Sequence, residues 1–261
     1  MQVKSRIYTS FSDIPADVAA CFEEDKAASF DQSHSWFLAL HEDVLSPRGS
    51  LRVLGATDGG QVALLPLVAC KPIGHQLFGQ SLKSLSNYYS AHFGPLTSPG
   101  ADTVTAMNGL VQSLFQEAPG WHTIDLNPVG AEEAWVTPFI RALRANGCYV
   151  HRYFRFGNWY LEVGGRSAEE YLASLPSKLK NTLRRKEKKL YRETEAEVRI
   201  VDNPLEVDEA LSAYARIYSS SWKQDEPHPD FIARICREFA ENDRLRLGVL
   251  TADGQAVAAQ I

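Results

Sequence analysis

The sequence predicts an α/β (α+β, mixed-sheet) fold arranged as two successive units, the second cut short. Three observations carry this. Apolar residues switch repeatedly between period two and helical spacing along the chain. An order of strand, helix, helix, strand, strand occurs over residues 3–70 and again over 197–261. The two hairpins in these stretches also share letters: Leu51-Arg52-Val53 and Thr57-Asp58-Gly59-Gly60-Gln61-Val62-Ala63 against Leu245-Arg246-Leu247 and Thr251-Ala252-Asp253-Gly254-Gln255-Ala256-Val257-Ala258. Short hairpins resemble one another by chance, so the weight lies in matching letters inside a matching element order.

Taken in order, residues 3–9 alternate as a strand, while 13–28 and 33–44 repeat apolar residues at helical spacing. Residues 51–56 and 62–70 are strand-like runs joined by Asp58-Gly59-Gly60, a hairpin turn signal. A strand at 82–88 precedes a loop with Gly94, Pro95, Pro99 and Gly100, then a helix at 102–117. Residues 121–126 read as strand, 132–145 as a helix ended by Asn146-Gly147, and 149–154 with 158–163 as a closing strand pair. After Gly164-Gly165 comes a helix from Ser167, and Pro176 opens a second helix to about Arg192. The earlier order then restarts: strand 197–201, helices 205–222 and 229–241, strands 245–251 and 256–261. The domains expected are therefore 1–164, a linking basic helical segment 165–194, and 195–261 as the opening part of a second domain. A strand carrying Ile261 at the terminus would normally pair within a sheet that continues, so a truncated second copy is expected.

At 261 residues the chain has room for about two domains and a real core. With 44% apolar, 23% charged and 10% aromatic residues, neither general disorder nor a fibrous repeat fits. Lys plus Arg is 27 against 32 for Asp plus Glu, so the formal charge is -5 and any attraction to nucleic acid or lipid must be local. The longest apolar run, 62–70, contains Pro66 and falls far short of the ~20 residues of a spanning helix. The first residues lead into polar sequence, unlike a secretory signal. Cys21, Cys70, Cys148 and Cys236 are scattered without a CxxC pair, which indicates no metal site and suits reduced thiols in the cytoplasm.

The element order resembles the GNAT superfamily of acyl-CoA-dependent N-acyltransferases. The tandem arrangement is similar to two of its relatives: CelD-like acetyltransferases associated with polysaccharide biosynthesis, and the Fem family, which adds amino acids from aminoacyl-tRNA to peptidoglycan precursors. The resemblance rests on Leu65-Pro66-Leu67, on Leu85-Ser86-Asn87-Tyr88-Tyr89 with Phe93-Gly94-Pro95-Leu96, on the basic helix from Leu175-Pro176 to Arg184-Arg185, and on Ser221-Trp222-Lys223 with Glu226-Pro227. It is closer to the CelD-like group. It implies acetyl-CoA or another acyl-CoA as co-substrate, held by backbone N–H groups of a glycine-bearing loop before a helix. Residues 87–100 lack that glycine spacing. The near match Gln76-Leu77-Phe78-Gly79-Gln80-Ser81 precedes the strand it should follow. The first unit is thus expected to be degenerate, and the donor loop to lie beyond Ile261.

Three stretches carry candidate chemistry. Lys178, Lys180, Arg184, Arg185, Lys186, Lys188, Lys189 and Arg192 put eight cations in fifteen residues, with Leu179, Leu183 and Leu190 on one stripe expected to dock the helix. The cations form either a solvated face or a patch for phosphate, lipid headgroup or RNA, with Arg184 as a substrate contact. Asn87, Tyr88, Tyr89 and His92 combine amide, phenol and imidazole at a strand end, where ligand contacts and ordinary turn capping both occur. In Ser221-Trp222-Lys223-Gln224-Asp225-Glu226-Pro227-His228, Trp222, Lys223 and Glu226 are substrate-site candidates by resemblance, and a Trp plugging the core is the other reading.

N-acyl transfer needs a neutralised amine and a polarised carbonyl. Glu226, Asp225 or His228 could accept a proton and Tyr89 could donate one, with Glu226 and Tyr89 the preferred pair. No Ser, Cys or His sits in a GxSxG elbow, so a hydrolase triad has no support. The expected activity is direct acyl transfer to an amine of a cell-envelope or polysaccharide-related small molecule, anionic in one reading. The alternatives are a Fem-like aminoacyltransferase, the one case in which nucleic acid (tRNA) is a partner, and a noncatalytic module that binds a glycan or anion.

Overall fold

The Asp-Gly-Gly signal becomes a two-residue turn. In the computed structural model, which describes residues 3–23, 29–45, 49–70, 80–116, 121–222 and 224–261, β2 (Ser50–Asp58) and β3 (Gln61–Cys70) pair antiparallel with Asp58 opposite Gln61. Gly59 (φ 54) and Gly60 (φ 88) both take the left-handed conformation that the right-handed twist of a tight hairpin demands. The chain divides into two units, Met1–Phe156 and Gly157–Ile261.

In the first unit β1 (Lys4–Tyr8) lies antiparallel to β2, β4 (Gln80–Ser84) antiparallel to β3, and β6 (Trp121–Asp125) parallel to β4. The sheet order is β1-β2-β3-β4-β6, with the short β5 (Leu96–Thr97) on β3. β3 sits in the middle and is buried from Val62 to Ala69, which is why it reads as a continuous apolar run and not as an alternation. Pro66 stands where β3 passes from β5 (paired at 63–64) to β4 (paired at 67–70), a gap in the ladder that tolerates a missing N–H.

Helices α1 (Ala16–Glu23) and α2 (His34–Ala39) fall between β1 and β2, and α2 runs on into a wide π turn at Leu40–Leu45. Helix α3 (Thr103–Gln116) covers the other face and packs on α4 (Val136–Ala145). Ser5 Oγ donates to Gly109 O, Ser113 Oγ donates to Gly55 O, and a Cβ on Gly109 would lie 2.6 Å from Ala56 Cβ. Small residues let α3 approach the sheet closely.

In the second unit α5 (Ala168–Ser174) opens with a capping box: Ser167 Oγ accepts from Glu170 N, and Glu170 Oε2 accepts from Ser167 N. Helix α6 (Ser177–Glu193) follows Pro176, then β7 (Ala196–Val201), α7 (Val207–Ser219), α8 (Pro229–Glu241), β8 (Leu247–Ala252) and β9 (Gln255–Gln260). The sheet is antiparallel in the order β7-β8-β9. Its core joins Val201, Val207, Phe231 and Leu247, and α7 packs on β8 and β9.

The two sheets share their opening pairing, counted from the turns. The second turn is Asp253 (φ 50) and Gly254 (φ 76), closed by Ala252 opposite Gln255. Lys4 pairs with Thr57 and Tyr8 with Val53; Glu197 pairs with Thr251 and Val201 with Leu247 at the same distances from the turn. The difference is a bulge in β9, where Leu250 pairs Ala258 and Thr251 pairs Ala256, leaving Val257 extra. By this register Ser5, Ile7 and Ala56, on the face that α3 covers, correspond to Val198, Ile200 and Leu250. On the second sheet Val198 is 57% and Ile200 55% exposed.

Several expected elements differ. No strand forms at 149–154 or 158–163; Tyr149, Phe154, Trp159 and Tyr160 are exposed, and the contacts there are side-chain ones, Tyr153 Oη to Asp125 Oδ1 (2.6 Å) and Arg152 to Ala131 O (3.3 Å). Alternation marks a segment able to pair, but a strand also needs a partner backbone. The first helix is seen to Glu23, residues 24–28 lying outside the described residues. Helix α4 starts at Val136 because Glu133 N and Val136 N bond back to Gly130 O and Glu133 O in successive turns. The strand expected to reach Tyr88 ends at Ser84, where the Ser84 and Ser86 hydroxyls both donate to Asn127 O. The leucine stripe of α6 does not dock deeply: no residue of that helix is buried, and Leu179 and Leu183 remain 44% and 41% exposed.

Two stability predictions follow from this packing. Gly109→Leu forces α3 off the sheet and lowers the unfolding free energy by about 1–3 kcal/mol in urea titration. Burial pushes the Cys236 thiol from its ordinary 9.0 up to about 11. Between those values the unfolded chain sheds a proton that the folded chain keeps. The stability that is complete below pH 9 therefore falls by about 2–3 kcal/mol as pH rises to 11. Cys236→Ala, less stable at neutral pH, loses that part of the slope.

Candidate functional site

The first cluster is built on the chain between β4 and β5. Asn87 Oδ1 accepts from Tyr89 N, turning the chain, and Tyr88 Oη donates to Tyr89 Oη at 2.9 Å with the rings 4.3 Å apart. Phe93 anchors the loop: it is fully buried, edge-on to Phe37, and its N–H donates to Pro128 O. Between these points His92 is held from three directions. Its backbone N–H donates to the buried Asp31 carboxylate at 2.7 Å, whose other oxygen accepts from Ser29 Oγ. Gln32 Nε2 lies 2.6 Å from His92 Nδ1, and Glu133 Oε1 lies 3.4 Å from His92 Nε2. With the amide donating to Nδ1, the ring proton sits on Nε2 and faces Glu133. Gly130 makes room, since a Cβ there would come within 2.8 Å of Nε2.

Among the described residues, Asn87 Nδ2, Ser90 Oγ and Trp135 Nε1 are buried in this region without a hydrogen-bond partner. Two aromatic rings, unpaired donors and an imidazole–carboxylate couple suit a polar ligand that offers acceptor oxygens. Asn87, Tyr88, Tyr89 and His92 thus lie on one loop, with Ser90 among them. Asp31, Gln32, Glu133 and Trp135 were not signalled, because they come from distant parts of the sequence.

The N-terminus of α3 offers little to a pyrophosphate. Asp102 Oδ2 accepts from Thr105 N at 2.8 Å, so a carboxylate already occupies the N-terminus of α3. The Thr105 side-chain and backbone hydrogen bonds hold Asp102 below its ordinary 3.8, ionised at neutral pH. Of the near-match loop, residues 76–79 lie outside the described residues, while Gln80 and Ser81 belong to β4, with Ser81 Oγ 2.9 Å from Thr123 Oγ1.

The second cluster lies where α7 hands over to α8. Trp222 is 93% exposed, so it does not plug the core. Glu226 is half-buried, and its Oε1 accepts from His228 N at 3.3 Å; Asp225 is exposed. Tyr214, one α-helical turn from Tyr218 on α7 with rings 5.7 Å apart, is pushed above its ordinary 10.0 by burial first and then by the charge of Glu226, with Tyr218 and Cys236 adding. The Tyr214 phenol thus lies within electrostatic reach of Glu226 and Cys236. Tyr214 was missed, although a tyrosine pair four residues apart was a visible signal. Lys223 lies outside the described residues, and Arg184 is exposed on α6. Glu226, Trp222 and Arg184 belong to the second unit; Tyr89 and the other loop residues belong to the first.

Among the described residues no group of His, Cys, Asp and Glu could hold a metal ion, and no helix is long and apolar enough to cross a membrane. No curated protein matches the chain. A family model described as an acetyltransferase (GNAT) domain matches residues 177–261, a span that contains α6, β7, α7, α8, β8 and β9. The mixed α/β architecture is consistent with that fold, and the match points to acyl transfer as the chemistry.

Proposed function

We propose that the chain is part of an acyl-CoA-dependent N-acyltransferase whose acceptor chemistry is carried by the second unit. The observation that supports this best is the acetyltransferase match across 177–261, the stretch that contains Tyr214 and Glu226. The two units are read as copies of one module, supported by their shared pairing register. On that reading the first copy supports substrate binding through Asn87, Tyr88, Tyr89 and His92.

The reaction is direct. A neutral amine attacks the thioester carbonyl carbon, Glu226 takes the proton from nitrogen as the C–N bond forms, the C–S bond breaks, and the thiolate of CoA leaves and is protonated. Tyr214, kept in its phenol form by burial and by Glu226, supplies that proton within the second unit, the part that sequence alone assigned to Tyr89. Trp222, exposed at the same junction, offers a flat apolar contact to the acceptor. The acceptor is a small amine of cell-envelope or polysaccharide chemistry.

The test is an assay of free thiol release from acetyl-CoA with a panel of amino sugars and polyamines, on the natural reading frame that contains these residues. Acetyl-CoA-dependent turnover is expected, and Glu226→Gln lowers kcat by about 10²–10⁴-fold. Tyr214→Phe lowers kcat with little change in KM, while Trp222→Ala raises KM. Turnover with aminoacyl-tRNA in place of acyl-CoA supports the Fem-like alternative. An unchanged kcat in Glu226→Gln removes that residue from the chemistry.

A further inference from the structure

Helix α6 is charged out of proportion to the rest of the chain. Its eight cations stand against two carboxylates, Glu187 and Glu193, which leaves +6 on seventeen residues. The whole chain carries -5, so everything outside the helix carries -11. At about 100° per residue the cations are not spread evenly. Arg184, Lys188 and Arg192 run down one side of a face and Lys178, Arg185 and Lys189 down the other, six cations within an arc of about 140° and along about 21 Å. Leu179, Leu183 and Leu190 lie on the opposite side.

These charges are largely unspent. Lys189 and Arg192 share the single carboxylate of Glu193, at 3.6 and 2.7 Å. The side chains of Lys178, Arg184, Arg185 and Lys188 have neither hydrogen bond nor ion pair among the described residues. No residue of the helix is buried. Tyr191 borders the cationic face and is exposed, an aromatic group of the kind that sits at headgroup level.

We infer that α6 is a docking surface for an anionic lipid bilayer, which it meets through the face of Arg184, Arg185, Lys188, Lys189, Arg192 and Lys178. Charge complementarity argues for the occupant. Six long, mobile point charges on one flat face match a fluid array of anionic headgroups, which needs no fixed geometry. A nucleic acid fits less well. It would extend past a 21 Å helix onto surfaces carrying a net -11, whereas a bilayer touched by one helix face is screened from distant carboxylates within about 8–10 Å. Asn181 is the one uncharged polar side chain between the two rows, so the face has little with which to read a base. This surface is independent of the acyl-transfer reading, because it asks nothing of Glu226.

The test is co-sedimentation of the 261-residue chain with vesicles of phosphatidylcholine containing phosphatidylglycerol and, in parallel, of phosphatidylcholine alone. Binding is expected to the anionic vesicles only, and to be lost as salt rises from about 0.1 M towards 1 M, where the Debye length shrinks from about 10 Å to about 3 Å. The triple variant Arg184→Gln, Arg185→Gln and Lys188→Gln keeps helix propensity and lowers partitioning by about 10²-fold. Lys186→Gln, which removes a cation from the leucine side, has a much smaller effect. Circular dichroism checks that each variant is folded. Absence of binding to anionic vesicles, equal losses in Lys186→Gln and the triple variant, or tighter binding to mixed tRNA than to vesicles at the same salt would each overturn the assignment.

Discussion

The register of the two hairpins is the constraint on which most of the architecture rests. A two-residue turn with both central residues at positive φ leaves the strands one way to pair, and a slip of one residue would exchange the two faces of the sheet. In the first unit that register puts Gly55, Val53 and Tyr8 on one face and Ser5, Ala56 and Ala63 on the face that α3 covers. In the second it turns Val201, Leu247 and Val249 inward, where they are buried. Gly59-Gly60 and Asp253-Gly254 thus do the same physical task with different residues, because Asp tolerates the left-handed conformation almost as glycine does.

The same register explains why the second sheet looks unfinished on one side. On the face that α3 covers in the first unit, Ser5 and Ala56 are small and allow a helix to sit directly on the strands. At the same register positions of the second sheet Val198 and Leu250 are larger and apolar, while Ile7 and Ile200 match. Aliphatic side chains on a three-stranded sheet gain little while they face water.

Legibility in the sequence followed the range of the interactions. Elements set by local chemistry were readable: the turn residues of both hairpins, the start of α5 after Ser167, and Pro229, which starts α8 at the residue expected. Elements that need a distant partner were not. Residues 149–163 alternate as strands should, but alternation does not supply a backbone to pair with. The leucines of α6 have the right spacing to dock, but three leucines among eight cations cover too little area to bury a helix. The loop of Asn87, Tyr88, Tyr89 and His92 was visible as a cluster, whereas its supports Asp31 and Glu133, sixty-one residues upstream and forty-one downstream of His92, carried no local mark. His92 looked solitary in the sequence because its carboxylate neighbours are joined to it only by the fold.

Electrostatics divides the two candidate clusters by what each could do for an acyl donor. At the start of α3 the helix dipole and free N–H groups would favour a phosphate, but Asp102 has taken that position and stays ionised, so a second anion would meet repulsion as well as lose a donor. At the α7–α8 junction the arrangement is of the opposite kind. Burial first, and then the charge of Glu226, raise the Tyr214 phenol above its ordinary range, so it stays protonated at neutral pH. Neither group needs a covalent intermediate, and both belong to the segment matched by the acetyltransferase family. Tyr214 sits within α7 and Glu226 on the chain that joins α7 to α8, so both are carried by one continuous stretch of the second unit.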